Sequence, residues 1–362
     1  MKPKVSIVRV ENDIEAAVRE AVRLLGGIER FVEAEGSYLI KPNLFTTKTA
    51  EEGATTDMHI VLALAEMVRE RGATPVVGEC PAMAAYARPD IIFDELGVRR
   101  LCEEAGVELM VLDREPPVRV DCPGGVAVGE LWFPDYALSC DGIINVPKLK
   151  THALTTLTCA VKNLFGLQQG GSKANHHVRT KNDPERFSHL LLDLYGAIRP
   201  QVRLNVVDAI VGMEGEGPGG GDPVRLGLII AGEDAVAVDL VASAVMGWDP
   251  MEVGTNYLAA ERGLGPSSLE EVDVVGLPIE EVARPFRKPQ IHQDGRMFVK
   301  ARMSIECDED RCTGCGVCSQ ICPAGAIILR GRPEFDLDRC IQCFCCVELC
   351  PHGSLSVLRR GD

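Results

Sequence analysis

Apolar residues recur along this chain in two alternating patterns. Residues 5–10 form a short β-branched run, and residues 14–25 then carry apolar side chains at helical spacing up to a stop at Gly26-Gly27. The same order repeats: 37–40 reads as strand, 57–71 as a helix ended by Gly72, 75–78 as strand, 98–105 as helix and 107–112 as strand. Residues 118–132, broken by Gly and Pro, read as an excursion or hairpin before the sheet resumes at 142–146. A helix over 154–164, a polar loop over 168–183, a helix over 184–198 and a strand over 202–207 follow. A glycine-rich loop at 212–222, a strand at 226–231, a helix at 235–246 stopped by Gly247 and Pro250, and a strand at 272–275 complete the series. Strands separated by helices through short loops predict a mainly parallel sheet covered on both faces.

That rhythm stops at 276. Residues 277–303 hold Pro278, Pro285 and Pro289 among charged residues without periodicity, and read as a linker that packs partly on both sides. The expected fold class is α/β: a large, mainly parallel sheet domain over 1–276 with helices on both faces, then a small α+β domain over 304–362.

Composition narrows the setting. At 362 residues with 46% hydrophobic and 25% charged, the chain buries a core. A net charge of −15 without a basic run argues against nucleic acid or an anionic membrane as partner. No run of eighteen apolar residues and no signal peptide are present, so neither membrane insertion nor export is expected, and the protein is placed in the cytoplasm.

The small domain carries the clearest chemistry. Cys312, Cys315, Cys318 and Cys322-Pro323 form one CxxCxxCxxxCP run, and Cys340, Cys343, Cys346 and Cys350-Pro351 form another. Three thiolates on one tight loop cap a cubane, and with two copies the remote cysteine of each run ligates the other cluster. The spacing therefore predicts two [4Fe-4S] clusters, one on Cys312, Cys315, Cys318 and Cys350, the other on Cys340, Cys343, Cys346 and Cys322. A structural zinc site would want two CxxC pairs, and disulfides would want an oxidising compartment. Cys345 and Cys307 fall outside the spacing and read as spare thiols, whereas Cys80, Cys102, Cys122, Cys140 and Cys159 are scattered singly, as reduced core cysteines are. Residues 305–358 resemble the bacterial two-cluster ferredoxins, and that resemblance implies paired hairpins and short helices that carry electrons one at a time; clusters near solvent suggest a low-oxygen setting.

In the large domain, Lys148, Lys150 and His152 follow the strand at 142–146 at period two, and Lys41 and Asn43 follow the strand at 37–40. Residues two apart on an extended chain share a face, and open α/β sheets bind ligands at the carboxyl ends of their strands. These five residues are expected in one pocket for an anionic small molecule, where losing Lys148 or Lys150 weakens binding about tenfold and leaves folding intact. Asn43, Asn145 and Asn163 taken singly read as turn or cap residues, and Asp208 and Asp239 as proton carriers, caps or ion-pair partners.

Two further stretches carry less. The loop at 212–222 contains GxGxxG, but it is acidic, with Glu214, Glu216 and Asp222, and leads into a strand, so it reads as a lid or an acidic turn and not as a dinucleotide site. His176-His177 lie in the polar loop, too few for a metal site, and read as solvated.

KPN at 41–43, GECP at 78–81, NVPKLKTH at 145–152, AVKNLFG at 160–166 and VDAIVGMEGEGP at 207–218 together resemble the domain-of-unknown-function 362 family over the first 275 residues. The resemblance implies an iron–sulfur protein of anaerobic or archaeal-style metabolism but no assigned reaction. The leading expectation is an electron-transfer protein passing single electrons to or from a site, or a redox partner protein, at the α/β domain. The alternatives are an oxidoreductase acting on the anion in the pocket, and a non-redox lyase or isomerase with structural clusters.

Overall fold

The computed structural model describes residues 2–81, 90–181, 183–293, 297–298 and 303–359. The strands are β1 (Lys4–Arg9), β2 (Ser37–Pro42), β3 (Thr74–Glu79), β4 (Glu108–Val111), β5 (Pro117–Asp121), β6 (Glu130–Pro134), β7 (Gly142–Val146), β8 (Lys148–His152), β9 (Thr156–Thr158), β10 (Val202–Glu214), β11 (Asp222–Gly232) and β12 (Asp273–Gly276). All but β5 and β6 form one ten-stranded sheet in the order β12-β1-β11-β10-β7-β2-β3-β4, with β8 and then β9 added beside β10.

Successive residues of a strand point to opposite faces, and both faces are apolar here. Leu39, Ile143, Val207 and Ile230 pack below helices Pro184–Ile198, Ala235–Val245 and Gly254–Glu261. Tyr38, Ile40, Ile144, Val206 and Ile229 pack below helices Ile14–Leu24 and Met58–Glu70. Four of these helices begin where an Asp side chain accepts a first-turn N–H: Asp13, Asp57, Asp183 and Asp234.

The sheet is mainly parallel, as expected, but mixed. β2, β3, β4, β7 and β10 run parallel, and β1 with β12 and β8 with β10 are parallel pairs too, while β9 is antiparallel to β8. β11 is antiparallel to both β10 and β1. The cause lies in the stretch read as a loop over 212–222: β10 and β11 extend into it as one long hairpin, pairing Met213 with Pro223 and Glu214 with Asp222. The excursion at 118–132 is the hairpin β5–β6.

The helix expected at 154–164 is a correction. The threonine-rich run at 155–158 favours strand, and Thr156–Thr158 pairs antiparallel with β8, so the helical part is only Ala160–Asn163, continued by a 3-10 turn over Leu164–Leu167. The polar loop expected at 168–183 contains the helix Ser172–Arg179.

After β12 the chain crosses the large part's surface: Trp248 Nε1 donates to Phe286 O at 2.9 Å, and the His292 ring meets Ala153 O at 2.8 Å. Residues 294–296 and 299–302 of the expected linker lie outside the described residues. The small part comprises β13 (Met303–Cys307) paired with β16 (Leu355–Arg359), the hairpin β14 (Ile327–Arg330)–β15 (Arg332–Phe335), and helices Val317–Gln320 and Cys345–Glu348. Its core of Ile305, Ile321, Ile327, Leu349 and Leu355 takes in Phe45 of the large part, and Phe344 and Val357 pack with Ala153 and Ile291. Among the described residues no helix is long and apolar enough to cross a membrane.

Candidate functional site

The carboxyl ends of β2 and β3 bury an ion pair. Lys41 Nζ lies 2.7 Å from Glu79 Oε2, with the two side chains 0% and 4% exposed. Burial holds the Lys41 ammonium below its ordinary range, outweighing the opposing pull of Glu79. Space for the pair comes from Gly166, where a Cβ would run into Lys41 Nζ and Glu79 Oε1. Thus the Lys of KPN, the Glu of GECP and the last Gly of AVKNLFG form one unit. Next to it, Lys173 Nζ donates to Cys80 O, and burial pushes the Cys80 thiol well up.

The asparagines of the same motifs form a buried network in place of separate turns. Asn43 Nδ2 donates to Asn163 Oδ1 at 2.9 Å, Asn163 Nδ2 to Asn145 Oδ1 at 2.8 Å, and Asn145 Nδ2 to Asn205 Oδ1 at 2.8 Å. This chain crosses from β2 to β10 and leaves Asn43 Oδ1 to accept from Lys150 Nζ at 3.0 Å.

β8 holds Lys148, Lys150 and His152, all at most 2% exposed. Period two gives them one face, but each step along a strand adds about 6.6 Å, so Lys148 and His152 stand roughly 13 Å apart. They do not converge. Lys148 Nζ pairs with Asp208 Oδ2 at 2.8 Å and donates to Ala50 O at 3.1 Å. Lys150 Nζ donates to Ala54 O at 2.6 Å and sits 3.9 Å above the Phe45 ring. His152 Nδ1 accepts from Leu154 N–H at 3.0 Å and Thr155 N–H at 3.4 Å. Burial, followed by the nearby Lys162, holds the His152 ring well below its usual pKa and therefore neutral.

A cavity of about 130 Å3 opens at this edge of the sheet. At roughly 10–15 Å3 per water-sized group it suits a small ligand and not a dinucleotide. Asn43, Lys150 and His152 line it, together with Glu79, Cys80, Lys162, Lys173 and His177. Lys148 does not, and Lys41 reaches it only through Glu79, which corrects the five-residue pocket. The far wall is Ile321, Cys345 and Leu349 of the small part. Its charged lining is three lysines against one glutamate, a local positive excess on a chain of net charge −15. A larger depression of about 1030 Å3 lies at the amino ends of β1 and β10, but its Arg30 and Arg199 are paired with Glu233 and Asp234, and it is the end where open α/β sheets do not bind ligands.

Lys173 and His177 come from the helix Ser172–Arg179, whose polar composition hides its period. Neither histidine is solvated: His177 stacks on Phe187 at 4.6 Å, and His176 Nε2 meets Gln168 Oε1 at 2.9 Å. Asp239 caps the helix Ala160–Asn163, accepting from Ala160 N–H at 2.6 Å and Val161 N–H at 3.1 Å, and burial pushes its carboxyl up to about 7. Glu214 and Glu216 accept from Arg287 N–H at 3.0 Å and Gln290 N–H at 2.7 Å, so the acidic turn clasps the segment after β12.

In the small part, Cys312, Cys315, Cys318 and Cys350 border one cavity. Burial, then the thiols of Cys343, Cys340, Cys322 and Cys318, push the Cys346 thiol well up, and burial, then Cys343 and Cys322, raise Cys340. Cys322, Cys340, Cys343 and Cys346 are therefore neighbours, with Cys318 of the first run also near. Backbone N–H groups point at the sulfurs, from Ser354 to Cys350 at 3.3 Å, Ala326 to Cys322 at 3.2 Å and Gln342 to Cys340 at 3.4 Å. Four thiols around a shared space, with amide donors to stabilise thiolate, fit a four-iron cluster. Among the described residues no three His, Cys, Asp or Glu side chains come together closely enough for a single metal ion, for which the wider spread of a cubane has no need.

A family model described as domain of unknown function (DUF362) matches residues 39–244, and one described as 4Fe-4S binding domain matches 308–328. The chain is 31% identical over 301 residues to the thylakoid-associated protein sll1697 of Synechocystis sp., covering 80% of this chain and 89% of that protein.

Proposed function

Because the chain belongs to the family described as domain of unknown function (DUF362) and carries a 4Fe-4S binding domain, we propose that it is an electron-transfer iron–sulfur protein acting on a small anion held in the cavity between its two parts. The composition of the cavity wall carries this reading: Lys150, Lys162 and Lys173 stand on one side, and Ile321, Cys345 and Leu349 on the other. Ile321 adjoins Cys322, and Cys345 lies between Cys343 and Cys346, so the second cysteine set is the one next to the ligand. A four-iron cluster on these thiolates exchanges single electrons. The lysines attract and orient the anion, the neutral His152 offers a ring N–H, and Phe45, Phe165 and Leu349 keep water away. Electrons come from a redox partner protein through the first cysteine set, where Cys315 is exposed.

Backbone strain supports two clusters. Gln342 and Phe344 sit at φ 55° and 59°, repeating Gly314 and Gly316 at φ 68° and 79°. Side-chain-bearing residues adopt this left-handed backbone at a cost of order 1–3 kcal/mol and keep it where the surroundings impose it, here to wrap the second cysteine run as the first is wrapped. The singly scattered buried cysteines and the exposed Cys315 suit a reducing, low-oxygen cytoplasm.

Lys173→Ala is expected to weaken binding of inorganic phosphate to the cluster-loaded chain about tenfold or more, since a charge-assisted hydrogen bond contributes ~1.5–3 kcal/mol. Isothermal titration under anaerobic conditions measures it, with iron content as the control. Wild-type affinity in the variant removes the anion site.

A further inference from the structure

The floor of the cavity contains a polar group that the proposed function leaves unused. Thr158 lines the cavity, is 2% exposed, and its Oγ1 has no hydrogen-bond partner among the described residues. A buried hydroxyl without a partner forfeits its hydration, and native proteins rarely leave one so unless a water, ion or ligand completes it. Its neighbours differ: Thr155 Oγ1 donates to Leu157 O at 3.0 Å, and Thr151 Oγ1 to Met213 O at 3.4 Å.

Position gives this hydroxyl its meaning. β8 and β9 pair antiparallel with Lys150 opposite Thr158 and His152 opposite Thr156. Directly opposed residues project to the same side of a ribbon, as do residues two apart on one strand. Lys150, His152 and Thr158 therefore share one face of β8–β9, and all three line the cavity. The two backbone N–H groups that His152 Nδ1 accepts fix the tautomer of the neutral ring, so Nε2 carries the proton. That face brings together the charge of an ammonium whose Nζ already donates to Asn43 Oδ1 and Ala54 O, an imidazole N–H and a hydroxyl, a set that suits the oxygens of an anion.

We infer that Thr158, His152 and Lys150 form an oxyanion-binding floor, on which one small carboxylate or inorganic oxyanion sits with an oxygen on Thr158 Oγ1. The inference rests on the reading of this cavity as a ligand site, and adds to it a residue and a ligand class. The three groups come from one rigid ribbon, whereas Lys162 and Lys173 come from helices. The floor sets which oxygens fit, and the helical lysines supply attraction.

The test uses the cluster-loaded full chain, kept anaerobic, titrated with inorganic phosphate and separately with acetate. Thr158→Val keeps the shape and the β-branch but removes the hydroxyl, and Thr158→Ser restores it. The expected result is one site per chain, about tenfold weaker in Thr158→Val and close to wild type in Thr158→Ser, for at least one probe. The probe affected distinguishes a carboxylate from an inorganic oxyanion. Wild-type affinity of Thr158→Val for both probes, beside weakened binding in Lys173→Ala, overturns the floor and leaves the ligand site standing. Failure of the wild type to bind either probe overturns both. A crystal of the wild-type chain grown with phosphate gives a readout independent of any variant's folding: an anion hydrogen-bonded to Thr158 Oγ1 supports the floor, and one bound elsewhere in the cavity overturns it.

Discussion

Cys346→Ser is expected to lose one cluster, about four of about eight irons per chain, while Cys345→Ser keeps them all. The two residues are consecutive in the helix Cys345–Glu348, and consecutive residues of a helix point about 100° apart, so only one can face the cysteines at 322, 340 and 343. Cys346 is the one buried among them, and Cys345 turns to the cavity instead. Iron and sulfide analysis of both anaerobically purified variants measures the difference, with electron paramagnetic resonance of the reduced proteins to count the clusters. Iron lost from Cys345→Ser, with Cys346→Ser intact, shifts the register of the second run by one residue and contradicts the assignment.

Lys148→Ala is expected to destabilise the large part by ~3–5 kcal/mol, the usual cost of leaving a buried charge without its partner. Asp208 is 0% exposed beside Lys148, and it also accepts from Asp57 N–H at 2.8 Å and Ile210 N–H at 3.1 Å, so it cannot turn to water. The double change Lys148→Met with Asp208→Leu removes both charges and is expected to recover part of that loss, less the two N–H groups it leaves unpaired. Anaerobic urea unfolding followed by circular dichroism gives the midpoints. A wild-type midpoint for Lys148→Ala means that the pair is hydrated. The expectation that losing Lys148 leaves folding intact came from treating it as a pocket lysine.

That error shows where the sequence stops being legible. The cysteine runs can be read because ligand spacing is a local property, set within ten residues by the size of the cluster. The strand–helix rhythm can be read for the same reason: Asp57 starts a helix and Gly72 ends it within one segment. Lys148 and Lys150 look alike in the sequence, and what separates them, Asp208 and Asn43, lies 60 and 107 residues away. The hairpin of β10 and β11 escaped because a strand's period does not say which strand it pairs with, so the glycines at 215–221 looked like a loop between two separate strands. Thr158 gave no signal at all, since a threonine in a threonine-rich run is ordinary until its hydroxyl is found buried and unpaired among the described residues. The helix Ser172–Arg179 was hidden by its polar residues, although it buries His176 and His177.

The central claim, that a ligand in the cavity communicates with the second cysteine set, is tested most directly by a redox titration of the cluster-loaded chain with and without saturating phosphate, read by electron paramagnetic resonance. An anion beside a cluster opposes the added electron; at an effective dielectric of ~20 and a separation of roughly 10 Å the interaction is on the order of 1–2 kcal/mol, or tens of millivolts for one electron. The account predicts that phosphate moves one midpoint downward, that this is the cluster lost in Cys346→Ser, that the other midpoint stays, and that Lys173→Ala needs about tenfold more phosphate or more to reach the same shift. Two unchanged midpoints with phosphate shown to be bound, or a shift in the cluster that survives in Cys346→Ser, contradict it.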